Sequence, residues 1–242
     1  MWETTVDGRV LHFHLAGINN QNFIMRDEET GTWWQQVSGK AILGPLKGRQ
    51  LKEVFHDELS FALWKREEPD GRVLKPDEKI AASNEYETAD WEMGVGRMRA
   101  VEGTDVDKRL APRTLVIGIT AGGKSIAYPL PALQKQSPIV DTAGSVAIML
   151  VLGDDNRSVR AFETTVDGRR LEFFAKVQNP TAPSASVQLM DSETGSTWNF
   201  EGKAVAGPLT GRELKKISVL EDFWFDWRIY HPDTSVYQIG PR

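Results

Sequence analysis

Alternation of apolar and polar positions runs through much of the chain, and the pattern occurs twice. After the turn dipeptide Asp7-Gly8, Leu11 and Phe13 point one way and His12 and His14 the other, the period of a half-buried strand. Asp167-Gly168 opens the same pattern again. Apolar strands at 23–25 and 187–190 run into tight turns at Thr30-Gly31 and Thr194-Gly195, and the tryptophan after each turn falls on the returning strand. Gly-Lys-Ala then starts a short strand, and Gly44-Pro45-Leu46 makes a sharp bend, because proline is excluded from a central strand. A short helix closes each pattern, at about 60–66 and 222–229. Ser60 or Asp222 is placed to cap it and Pro69 or Pro232 to stop it.

The recurrence extends to residue identity. Glu3-Thr-Thr-Val-Asp-Gly-Arg9 returns unchanged as Glu163-Thr-Thr-Val-Asp-Gly-Arg169, and two further blocks (27–34 with 191–198, 39–51 with 202–214) follow in order. With the first block extended to 2–13 against 162–173, 23 of 33 positions across the three blocks are identical. The offsets are 160, 164 and 163 residues, so the insertions fall in loops. This is the signature of duplication. Only the second copy is preceded by more strands, at 114–120, 125–128 and 145–152, with a Gly122-Gly123 turn and a proline-initiated helical turn at 131–136. The expected fold is mainly β: two related antiparallel β units with short helices after each repeat. Residues 1–74 form a partial N-terminal repeat, 75–105 a charged connector with anchoring aromatics at Tyr86 and Trp91, and 106–242 a full C-terminal module. The first copy's N-terminal strand is expected to carry an exposed edge that favours a homo-oligomer.

Composition narrows the classes. With 29 basic and 34 acidic residues the net charge is −5, which argues against nucleic acid as a partner. There is no cysteine, so disulfides, thiolate metal sites and cysteine nucleophiles are excluded within the chain. The longest apolar run, 146–152, is strand-length, so no membrane span is expected. The first residues are neither basic nor apolar enough for a signal peptide, and the compartment stays open.

Several groups of residues carry candidate chemistry. Residues 118–125 (Gly-Ile-Thr-Ala-Gly-Gly-Lys-Ser) match the P-loop pattern, which needs a helix beginning at the lysine. Pro129 and Pro131 break any such helix, and a strand–turn–strand hairpin is the plainer reading, with nucleotide binding the remote alternative. His12 and His14, at i and i+2, are weak metal candidates, and the sequence offers no third ligand beside them. His56 and His231 stand alone. The acidic pairs Glu28-Glu29, Glu67-Glu68 and Asp154-Asp155 read as solvated turns, whereas Asp27 and Asp191 are placed to bond the backbone of the turns they open. Trp33, Trp34 and Trp198 either fill cores or floor a ligand groove. For such a groove the candidate contacts are Asn20, Asn22, Arg26, Trp34 and Gln35, all in the first copy.

Taken in order, Leu115-Val-Ile-Gly-Ile, Lys124-Ser-Ile-Ala-Tyr-Pro-Leu130, Ile139-Val-Asp-Thr-Ala-Gly144, the Val-Asp-Gly strand and His231-Pro-Asp-Thr234 resemble the DUF3179 family. That is a bacterial domain family of unestablished function, some of whose members are selenoproteins. The resemblance covers 106–237 as a full module and 2–74 as the C-terminal half of another. It implies a Cys-x-x-Cys or selenocysteine-x-x-Cys pair ahead of the Val-Asp-Gly strand. In the second copy those positions hold Gly153 and Asn156; in the first they fall upstream of Met1. The expected function is a noncatalytic binding or scaffold module for a small ligand or protein partner, with no cofactor and no reaction assigned. The alternative is a thiol or selenol redox protein whose reactive pair lies upstream of Met1, this chain then being a truncated form. The resemblance also admits export.

Overall fold

The computed structural model describes residues 1–19, 22–75, 77–78, 94–98, 107–176 and 187–240. The first copy opens with the hairpin β1 (Thr5–Val6) and β2 (Arg9–Val10). Asp7 and Gly8 between them both have positive φ, 51° and 78°. That is the two-residue turn matching strand twist, and it explains the aspartate–glycine choice. An antiparallel meander follows: β3 (Phe13–Asn19), β4 (Asn22–Asp27), β5 (Trp33–Gln35) and β6 (Lys40–Leu43). Helix α1 (Phe61–Glu67) is capped by Ser60, whose hydroxyl accepts the Leu63 N–H at 3.2 Å.

The second part begins with β7 (Leu115–Ala121) and β8 (Lys124–Pro129), then α2 (Leu130–Lys135), β9 (Ile139–Ala143), β10 (Val146–Leu152) and β11 (Val159–Glu163). The hairpin returns as β12 (Thr165–Val166) and β13 (Arg169–Arg170). The meander returns as β14 (Phe173–Ala175), β15 (Gln188–Asp191), β16 (Thr197–Asn199) and β17 (Ala204–Ala206). Beyond it, β18 (Lys216–Ile217) pairs with β11, β19 (Leu220–Phe223) pairs with β7, and after α3 (Trp224–Tyr230) β20 (Ser235–Val236) lies parallel to β8.

Strand β10 reads as an unbroken apolar run because both of its faces are covered. Ile148, Leu150 and Leu152 pack with Ile117, Ile119, Leu133 and Ile139. Met149 and Val151 face Phe162, Leu171, Trp198 and, from the first copy, Leu63 of α1. Helix α1 therefore sits on the second part. The Ser60 N–H donates to Ser158 Oγ at 2.8 Å, Arg66 reaches Asp154 at 2.7 Å, and Arg160 binds both Asp57 and Glu67. The first copy's own core is smaller, built on Val6, Leu11, Trp34, Ala41 and Leu51.

The mainly antiparallel β class is the one the chain adopts. Residues 118–125 form the β7–β8 hairpin, and Lys124 begins a strand rather than a helix, so the phosphate cradle of the nucleotide-binding reading is not built. The capping role expected of Asp222 is also corrected. Pairing of Phe223 with Leu115 holds 220–223 extended, so α3 starts at Trp224 and Asp222 accepts the adjacent Phe223 N–H, at 2.7 Å, rather than one of the helix's own. Residues 1–3 pair on one side with 52–54, as β11 pairs with β18; among the described residues no strand takes the side that β10 fills for β11. Most of the expected connector, with Tyr86 and Trp91, lies outside the described residues.

Candidate functional site

The paired turns are built identically in the two copies. Asp27 accepts the Thr30 N–H at 2.6 Å and the Trp34 indole N–H at 2.8 Å; Asp191 accepts the Thr194 N–H and the Trp198 indole at the same distances. Burial would raise both carboxyls, but these donors outweigh it and hold them below the usual carboxylate range. Both tryptophans are fully buried. Their rings belong to the cores, the first of the two alternatives the sequence left for them, and not to a groove floor.

A cleft of about 830 Å³ opens instead between the two copies. One wall is Asn22, the turn after β5 (Gln36, Val37, Ser38) and the segment holding Glu53, His56 and Glu58. The other is Gly118 and Thr120 of β7, β19 with its flanks, Asp226 and Trp227 of α3, and His231. Among the described residues no lysine or arginine side chain lines it.

Asp226 is the centre of the site. It is 7% exposed; one oxygen accepts the Asn22 side-chain N–H from the other copy, and Oδ1 is buried with no partner among the described residues. Burial pushes its carboxyl up to about 6, against the opposing Asn22 bond. Asp222 lies four residues earlier, where burial and then the Asp226 charge push it up to about 8. The Glu58 carboxylate adds to that rise, stands 3.6 Å from His56, and accepts the Glu221 N–H at 3.2 Å. The α-amino group of Met1 meets His56 Nδ1 at 3.2 Å.

The floor is aromatic. Trp227 donates to Thr234 Oγ1 at 2.9 Å and stacks on the His231 ring with centroids 3.7 Å apart. Its far face rests on Gly118, where a Cβ would come within 2.1 Å of the indole, so only glycine fits. His231 Nδ1 and Ser125 Oγ are 3.2 Å apart, and Ser125 Oγ is 2.9 Å from Thr120 Oγ1. Burial lowers the imidazole pKa. Among the described residues no carboxylate bonds that ring, so the pair lacks the orienting third group of a hydrolytic triad.

Of the residues singled out from sequence, Asn22 lines the cleft. Gln35 accepts the Ser38 hydroxyl at 2.5 Å and touches the Tyr230 hydroxyl at the cleft's edge. Arg26 is exposed elsewhere, its Nε donating to Gly31 O at 3.2 Å, and Asn20 lies outside the described residues. His12 forms an ion pair with Glu29 at 2.6 Å, and that hydrogen bond raises its pKa, so Glu29 is not the plain solvated turn residue expected. His14 is exposed opposite Arg26. Among the described residues no three metal-binding side chains converge.

Sequence reasoning missed Asp222, Asp226 and His231, although the repeat contained the signal. At the offset of 163, Asp222 and Asp226 stand where the first copy has Leu59 and Leu63. Those leucines pack into the apolar cluster beneath α1.

The fold and cleft define a β-rich protein that places buried acids in a cleft between its N-terminal and C-terminal parts. The chain belongs to the family described as protein of unknown function DUF3179, and the match runs over residues 1–234, through both copies. No curated protein matches the chain, and no solved structure does.

Proposed function

We propose that this chain is a noncatalytic binding module that holds a small polar ligand in the cleft between its copies. The observation carrying this reading is Asp226: a buried carboxylate with one unpartnered oxygen, at a position the first copy gives to leucine. An unpaired polar group in such a place costs about 1–3 kcal/mol, a cost a bound donor removes. We read the two halves as products of duplication that diverged at this face, since their turns, hairpins and meanders coincide while Leu63 and Asp226 do not. Binding is favoured over reaction because, among the described residues, Ser125–His231 lacks its third member. The redox alternative draws no support from the second copy, where Gly153 and Asn156 carry no sulfur and α1 covers the turn they belong to.

The test is a thermal-shift screen of the whole chain against small amines, sugars and carboxylic acids, with Asp226→Leu screened in parallel. A compound raising the melting temperature of the parent but not of the variant supports the reading. At a hundredfold excess over Kd such a ligand adds about 2.7 kcal/mol. Absence of any shift, or a shift kept by the variant, refutes it.

A further inference from the structure

We infer that the ligand of this cleft is an aliphatic amine with at least two ammonium groups, seated with one ammonium on Asp226 and Asp222. This deepens the binding reading and rests on it. The lining supplies hydrogen-bond acceptors in excess: acids at Glu53, Glu58, Asp222 and Asp226, besides Glu221, which Arg157 meets at 3.9 Å, with no lysine or arginine side chain lining the cleft among the described residues. Among the described residues the Met1 α-amino group beside His56 is the cation at the rim, outnumbered by the acids, so an anion finds little counter-charge whereas a cation meets a negative field focused by low-dielectric walls. The unpartnered Asp226 oxygen needs a donor, and an ammonium brings three.

Asp222 near the end of β19 and Asp226 in the first turn of α3 lie on one side of the cleft, and Glu58 stands across from them on the first copy's segment. Acceptors at separated points suit charges spaced along a chain. Between them Val37, Val219 and Leu220 offer apolar wall for the methylene stem, as long cationic side chains bury their stems in proteins. The volume of about 830 Å³ is within the range of small-ligand sites.

Protons follow from the same geometry. Asp222 is faced by Asp226 and Glu58, Asp226 by Asn22 and Asp222, and the Tyr230 hydroxyl feels the charge of both acids. His56 borders Glu58, and His231 borders Trp227. The free carboxyls are pushed up to about 8 and about 6, so at neutral pH the pair retains a proton that an incoming ammonium displaces. An alkyl ammonium, with a pKa near 10, stays charged throughout. Affinity therefore rises with pH, by up to about tenfold per unit between roughly 6 and 8.

The experiment is titration calorimetry of the whole chain with spermidine, 1,4-diaminobutane, glucose and inorganic phosphate. It is run at pH 6 and pH 8, and at pH 7 in two buffers of different ionisation enthalpy. Expected are saturable binding of the two amines, tighter at pH 8, and release of about one proton at pH 7. Asp226→Asn and Asp222→Asn should weaken the amines tenfold or more, while Glu172→Gln, an exposed acid outside the cleft, leaves them unchanged. Circular dichroism of each variant establishes that it is folded. Glucose binding that is lost with Asp226→Asn overturns the amine assignment and leaves the binding reading standing. Amine binding insensitive to both aspartates, or reduced equally by Glu172→Gln, overturns it as surface charge attraction. Silence from all four probes overturns it as well.

Discussion

Arg160 on β11 and Glu67 on α1 share two hydrogen bonds, Nη1 to Oε1 and Nη2 to Oε2, each 2.8 Å long. The same guanidinium reaches Asp57 through Nε and Nη2, and Phe200 lies beneath it with its ring centroid 4.8 Å away. The arginine side chain is 4% exposed. This contact ties the first copy's helix to the second copy's central sheet. Removing one partner from a buried ionic group costs about 3–5 kcal/mol. For Arg160→Met the expected loss is near the lower end, because Lys216 still serves Asp57 at 3.0 Å. Urea unfolding measures it, and a loss below about 1 kcal/mol would mean that the contact is not holding the copies together.

The carboxyls divide into two groups with opposite effects on pH stability. Burial would raise Asp57, but bonds from Arg160 and Lys216 hold it below the usual range. With Asp27 and Asp191, also lowered, it gives stability that is present above the unfolded value near 4 and lost as pH falls through the depressed values. Asp222 works the other way. Its folded value of about 8 lies above the unfolded one, so its effect is favourable in acid and stability declines as pH rises from about 4 to about 8. The melting temperature of the free chain should therefore drop between pH 5 and pH 8.5. Asp222→Asn should flatten that drop, and an equal slope in both proteins would contradict the burial argument.

The turn aspartates offer a matched pair. Asp27→Ala strips the buried Trp34 indole of its acceptor and the turn of two Thr30 donors' partner; Asp191→Ala does the same to Trp198 and Thr194. Each should cost about 3 kcal/mol, from one unsatisfied buried donor and the lost charge-assisted bonds. Because the two networks coincide, guanidinium melts should give the two costs within about 1 kcal/mol of each other. A large cost in only one copy would break the equivalence.

What the sequence revealed followed the local rules. Asp7-Gly8 and Asp167-Gly168 specify their hairpins because both turn residues need positive φ, and Ser60 announces α1 because its hydroxyl serves the third residue on. Strand β9 went unread: its Val140 and Asp141 sit beside apolar Ile139 without alternation, and only pairing with β10 makes it a strand. The site was illegible for a related reason. Asp222 looks like a helix cap in one dimension, and its real position follows from β19 pairing with β7, about a hundred residues earlier in the chain. Trp34 suggested a groove by type alone, while the Asp27 that claims its indole is close in sequence but across a turn.

Gly118 sets the position of Trp227, and through it His231, so its substitution should act at a distance from the acids. Gly118→Ala places a methyl 2.1 Å from the indole, against β7 backbone held on both sides by β8 and β19. Overpacking of this kind costs about 1–3 kcal/mol. The displaced ring should also lower tryptophan near-ultraviolet dichroism. A variant with parent stability and spectrum would show that the indole does not rest on this residue.

Leu63 and Asp226, the same helix position in two copies, predict a trade between stability and binding. Leu63 is 3% exposed within an apolar cluster, whereas Asp226 is as buried but ionises near pH 6 at a carboxyl with one unpartnered oxygen. Asp226→Leu removes the buried charge, adds apolar burial and gives up one bond from half-buried Asn22, whose amide water can then serve. The net expectation is a gain of about 1–2 kcal/mol at pH 8. Below pH 6 the wild-type carboxyl is already protonated and its ionisation penalty is gone, so the gain should shrink. Functional positions commonly carry such suboptimal residues, and replacing them stabilises a protein while removing its activity. Chemical denaturation at pH 5 and pH 8 reads both values; an Asp226→Leu protein less stable than the parent at pH 8 would show that the carboxylate supports the fold instead of the cleft.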